Sequence, residues 1–195
     1  MNWANRLTLG RLALTILFVL SLSSTWTYGR TIALLLFILA GISDYFDGEI
    51  ARRYGIVTKF GKLMDPLVDK VMMAAAFICL VPLGAVPAWV ATIVVARDFL
   101  ITGLRLLASS EGTVLPAERL GKHKTSWQIA TVVFFLLLLS ARELWPTMSE
   151  EPWWQNSWHY GGDALLWITI GLTIYSGLGY LWRHRALVRP TGTRA

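Results

Sequence analysis

Apolar runs about twenty residues long, separated by short polar stretches, set the rhythm of this chain. The first run, Leu12 to Leu22, follows Arg6 and Arg11 and precedes Trp26 and Tyr28. Charged residues before it and aromatics after it predict a membrane span over about 8–28. Ser21 to Thr25 make a poor small-residue cleavage site, so this run reads as a retained span and not as a signal peptide. Further spans are expected over about 31–52, 65–83, 88–108, 121–141 and 162–182. Each is close to the roughly 20 residues that cross a bilayer core as a helix. Pro82, Gly84 and Pro87 mark a tight, uncharged turn. Residues 109–119 and 142–160 read as loops. The pattern predicts an all-α integral membrane protein of six transmembrane helices. Residues 1–182 form its membrane domain and 183–195 a basic tail.

Composition agrees. Hydrophobic residues make up 55% and charged residues 15%, against roughly 25% charged in soluble domains. Of the ten Trp, several lie near the ends of apolar runs, as interfacial aromatics do. The lone Cys79 lies in an apolar run, so no intrachain disulfide is available. A net charge of +6 without a long basic tract speaks against nucleic acid and for anionic headgroups as partner. All Lys and Arg except Arg30, Arg97 and Arg142 fall on one side of a six-span topology, the side that carries both termini. The positive-inside rule makes that side cytoplasmic. The chain shows no internal repeat of the kind that builds transporters from two halves.

One stretch departs from the apolar rhythm. Asp44 and Asp47 stand at the end of the second run, and Asp65 and Asp69 at the start of the third. Carboxylates at a bilayer edge are costly and point to function. On a helix, Asp44, Asp47, Gly48 and Ala51 share one face, as do Gly61, Asp65 and Asp69 on the next. A connection of about a dozen residues is expected to bring the two faces together as an antiparallel pair. Four converging anions repel one another unless cations intervene. An all-oxygen set without Cys or His suits Mg²⁺ or Mn²⁺, with Ca²⁺ as the other hard-ion choice. Pairing of the aspartates with Arg52, Arg53, Lys59 and Lys62 is the competing structural explanation.

The full pattern is Asp44-x2-Asp47-Gly48-x2-Ala51-Arg52-x8-Gly61-x3-Asp65-x3-Asp69. It resembles the signature of the CDP-alcohol phosphatidyltransferases at every defining position. That resemblance implies a six-helix fold, a homodimer, and attack of an alcohol on the β-phosphorus of a CDP-linked lipid with release of CMP. It implies two divalent ions held by Asp44, Asp47, Asp65 and Asp69, and Asp69 as general base. It further implies a CDP-lipid site formed by Thr8, Asp44, Gly48, Arg52 and Gly61. Three more segments resemble the bacterial phosphatidylglycerophosphate synthases of that family. They are Asn5-Arg6-Leu7-Thr8 with Arg11, Ala96-Arg97-Asp98-Phe99 with Gly103-Leu104-Arg105, and Gly121-Lys122-His123-Lys124-Thr125 with Gln128. Asp98 is a departure, since the resemblance calls for Glu there. The implied substrates are CDP-diacylglycerol and sn-glycerol 3-phosphate, handled at the cytoplasmic face of a bacterial inner membrane.

Charge supports a phosphorylated acceptor independently. Arg97, Arg105, Lys122 and Lys124 lie on the fourth and fifth spans toward the cytoplasmic side, and a phosphate needs such cations. Other acceptors within the family, namely serine, inositol phosphate or the precursor of cardiolipin, are the alternative. A divalent-cation transporter is the non-enzymatic one; carboxylates confined to one leaflet argue against it.

Overall fold

The computed structural model describes residues 3–54, 59–110 and 119–183, with side chains over 9–43, 67–109 and 123–183. Over that range the protein is helical, with no strand among the described residues. Six long helices carry the architecture: α1 (Trp3–Ser23), α2 (Gly29–Tyr54), α3 (Lys59–Leu80), α4 (Ala88–Ser110), α5 (Arg119–Leu144) and, after a short α6 (Pro152–Asn156), α7 (Gly162–Arg183). They hold 21 to 26 residues each, about 32–39 Å of helix. Two stretches, His123–Leu144 and Pro152–Arg183, are long and apolar enough to cross a membrane, and Leu9–Ser23 and Gly29–Ser43 form shorter apolar helices.

The helices pack as a closed ring. Going round it, α1 touches α2, α2 touches α5, α5 touches α7, α7 touches α4, α4 touches α3, and α3 returns to α1. A smaller contact between α3 and α5 closes the middle. Phe18, Phe77, Phe135, Leu136 and Val132 are fully buried there. Large apolar side chains on the outside, such as Leu20, Leu35, Trp167 and Leu178, stay exposed. An apolar exterior around an apolar core is what a lipid solvent permits and water does not.

The element boundaries depart from the sequence expectation in informative places. The first helix ends at Ser23, not 28, because the chain turns there. Ser24 Oγ donates to the Ser21 carbonyl at 2.8 Å, and Ser21 Oγ donates to the Gly29 carbonyl at 2.7 Å. The third helix starts at Lys59, six residues before the expected Asp65. Its far end is the expected uncharged turn. Gly84 takes φ +70°, its N–H donates to Val81 O at 3.0 Å, and Ala85 N–H donates to Leu80 O at 3.2 Å. These are the paired bonds of a Schellman stop, which glycine satisfies without strain. Residues 142–160 are not a plain loop. Pro146 opens a 3₁₀ turn and Pro152 opens α6, each at the first turn where a missing N–H is harmless. A π turn over Ser157–Gly161 then leads into α7. Most of the loop expected at 109–119 lies outside the described residues.

The start of α2 is capped from a distant helix. Glu143 on α5 accepts from the Arg30 N–H at 3.1 Å, the Thr31 N–H at 2.8 Å and the Thr31 hydroxyl at 2.8 Å. A carboxylate there satisfies orphan amides and the positive end of the helix dipole. It also ties the first turn of α2 to α5.

Candidate active site

The signature aspartates fall on two continuous helices. Asp44 and Asp47 lie within α2, and Asp65 and Asp69 within α3. The expected spacings of three and four therefore hold as shared helix faces. Side chains of Asp44, Asp47, Asp65, Gly48, Arg52, Gly61, Thr8 and Lys122 lie outside the described residues.

Both acidic segments come to α1. The Phe18 and Phe37 rings meet in a tilted contact, centroids 5.8 Å apart, across α1 and α2. Carried two turns along that antiparallel register, position 44 comes level with Arg11. On the other side, Thr15 Oγ1 donates to Met72 Sδ at 3.3 Å. One turn nearer the site, the parallel α1–α3 register brings position 69 close to Arg11. Thus α2 and α3 converge through α1. The ends expected to pair directly, with the connection between them, lie largely outside the described side chains. The two helices face each other across a cavity of about 120 Å³ lined by Arg11, Phe37, Ala40, Gly41, Asp69, Met72, Met73 and Ile129.

Asp69 opens onto that cavity. Its side chain is about 40% exposed, and Oδ2 accepts from Lys70 Nζ at 2.9 Å. Among the described residues, Lys70 is the partner of this carboxylate. Among the described side chains no three carboxylate, His or Cys groups gather as metal ligands; three of the four aspartates lie outside that set. The donor chemistry itself fits a hard divalent ion, since carboxylates stand at i, i+3 on one helix and i, i+4 on the other.

A second polar centre sits where α4, α5 and α7 meet. Asp98 is buried, and its Oδ1 accepts from both Lys124 Nζ and, at 3.4 Å, Arg97 Nη1. Arg97 Nη2 also donates to Ser176 Oγ at 3.1 Å. Two cations on one carboxylate leave net positive charge in a low-dielectric setting. Of the four cations expected to hold an acceptor phosphate, Arg97 and Lys124 are thus brought together, whereas Arg105 is exposed two turns further along α4. The helix that carries Asp69 and Lys70, α3, packs against both α4 and α5.

Several contributors escaped the sequence reading. Gly177 is one: a Cβ there would meet Arg97 Cγ at 3.0 Å, so the missing side chain makes room for the guanidinium stem. Its position directly after Ser176, facing α4, has no signature in the sequence. Gln128 is another. It is fully buried and its amide has no partner among the described residues, one turn from Lys124 and one from the Thr131–Thr169 hydroxyl pair at 2.9 Å.

Residues 1–175 match the CDP-alcohol phosphatidyltransferase family. The chain belongs to that family. Among its curated relatives is a CDP-diacylglycerol–glycerol-3-phosphate 3-phosphatidyltransferase of Bacillus subtilis, 35% identical over 195 residues, covering 94% of this chain and 95% of the relative. A protein of the same name from Rickettsia felis is 32% identical over 179 residues, covering 92% and 93%. A probable phosphatidylglycerophosphate synthase of Mycobacterium tuberculosis is 35% identical over 185 residues, covering 93% and 81%.

Proposed function

We propose that the protein transfers the phosphatidyl group of CDP-diacylglycerol to sn-glycerol 3-phosphate, giving phosphatidylglycerophosphate and CMP. Near-full-length similarity to relatives named for that reaction carries the reading. The Arg97–Asp98–Lys124 centre beside the aspartate helix supports a phosphorylated acceptor.

In this account the acceptor phosphate binds among Arg97, Arg105, Lys122 and Lys124. Asp98 holds Arg97 and Lys124 in a fixed array, so little ordering remains when substrate arrives. The acceptor hydroxyl meets Asp69, which takes its proton as the oxygen bonds to the β-phosphorus. The bond from that phosphorus to the CMP oxygen breaks, and CMP leaves. Thr8, Asp44, Gly48, Arg52 and Gly61 receive the CDP moiety. Asp44, Asp47, Asp65 and Asp69 would hold Mg²⁺ or Mn²⁺, probed as two ions; bound there, the ions neutralise charge on the pyrophosphate. Six spans with both termini cytoplasmic put this site at the inner face of a bacterial cytoplasmic membrane, in a homodimer. The far-side Trp belt and the charge bias support that orientation.

Asp69→Asn tests the assignment of the base. CMP release is expected to fall by at least about 1,000-fold, while CDP-diacylglycerol binding persists in a lipid-binding assay. Loss of binding with no separate loss of turnover contradicts the role. Exhaustive chelation is expected to abolish activity, and Mg²⁺ or Mn²⁺ to restore it; full activity after chelation contradicts the metal assignment.

A further inference from the structure

Arg11 has no part in the chemistry described so far, yet it is a buried cation, 6% exposed, on the wall of the cavity that Asp69 shares. Among the described residues the rest of the wall is apolar or small: Phe37, Ala40, Gly41, Met72, Met73 and Ile129. Helix direction tells which side of the site this is. Phe37, Ala40 and Gly41 precede Asp44 by seven, four and three residues, and Met72 and Met73 follow Asp69 by three and four. Both groups lie deeper along their helices than the carboxylates, toward the bilayer interior. Arg97, Arg105 and Lys124 do not line the cavity. Gly41 keeps it clear, because a Cβ there meets no atom within 4 Å.

Among the described residues, Arg11 and Asp69 stand at the polar end of the pocket with apolar walls beyond, and a cation so placed suits an anion joined directly to an apolar body. The water-soluble acceptor lacks such a body. The donor has one at the junction of its pyrophosphate and diacylglycerol. We propose that Arg11 and the Gly41 cavity bind that junction. The guanidinium donates to a phosphoryl oxygen on the lipid side of the pyrophosphate. Ala40, Gly41, Met72 and Met73 receive the glycerol backbone and first methylenes. The inference rests on the donor assigned above.

Steady-state kinetics and binding on the purified full-length protein test it, with Arg11→Gln, Arg11→Lys and Gly41→Leu. Arg11→Gln and Gly41→Leu are each expected to raise the KM or Kd for CDP-diacylglycerol by roughly 10-fold or more. The KM for glycerol 3-phosphate is expected to stay within about two-fold, and CMP, which lacks the lipid end, to bind as in wild type. Arg11→Lys, which keeps the charge but not the fork, is expected to recover part of the affinity. A rise confined to the acceptor KM, an equal loss of CMP binding in a folded variant, or unchanged donor affinity overturns the proposal. Should Arg11→Gln fail to fold, Gly41→Leu on a different helix decides by the same readouts. Failure of the functional reading looks different: wild-type protein would release no CMP with glycerol 3-phosphate. Donor binding by the variants still decides the role of Arg11 in that event.

Discussion

Asp98 concentrates two cations on one buried carboxylate, so its removal should cost more than a surface pair does. Asp98→Ala leaves Lys124 and Arg97 uncompensated in the core, which typically costs about 3–5 kcal/mol. The double variant Asp98→Ala with Lys124→Met is expected to recover most of that stability, measured by thermal unfolding in detergent. It is not expected to recover activity, because Lys124 also serves the acceptor. Recovery of both would reduce the centre to packing alone. At this scale the sequence was legible for residue type and illegible for contact. Arg97 and Lys124 stood out as cations in apolar runs. Their meeting at Asp98 depends on the α4–α5 register across 26 positions, which no local spacing encodes. Arg11 stands at the edge of the first apolar run, and the cavity it shares with Asp69 is visible only in the fold.

Among the elements, α7 matters more to the site than its lack of signature residues suggests. Its Ser176 holds Arg97 from one side, and Gly177 admits the arginine stem. Gly177→Ala is expected to push Arg97 off its position and raise the acceptor KM several-fold, roughly 1 kcal/mol of binding, with helical content unchanged by circular dichroism. An unchanged acceptor KM would mean that Arg97 adapts or takes no part. Helix existence was readable from apolar run length, and the stop at Gly84 from its turn residues. The 145–161 segment was not, because Pro146 and Pro152 start helical turns there, and proline reads equally as a breaker. The early start of α3 was missed for a related reason: Lys59 and Lys62 look like loop residues, yet they occupy a helix's first turn.

For the whole molecule, the ring order α1, α2, α5, α7, α4, α3 places the acidic helices on either side of α1 and the cationic helices next to them. Sequence periodicity supplies helices but not their neighbours, so this order was legible only in coordinates. The charge bias makes a topological prediction. Single cysteines introduced at Trp26 or Trp145, in a Cys79→Ala background, should react with a membrane-impermeant maleimide from outside intact cells. Cysteines at Asn2 or Thr193 should react only after the cells are opened. The reverse pattern would invert the site's orientation. An acceptor panel puts the reaction itself to the test. Purified protein receives CDP-diacylglycerol and Mg²⁺ or Mn²⁺ with glycerol 3-phosphate, serine, inositol, inositol phosphate or phosphatidylglycerol, and CMP release is followed. Glycerol 3-phosphate is expected to exceed every other acceptor by about 100-fold or more in kcat/KM; equal or faster CMP release with another acceptor, or none with glycerol 3-phosphate, would contradict the account.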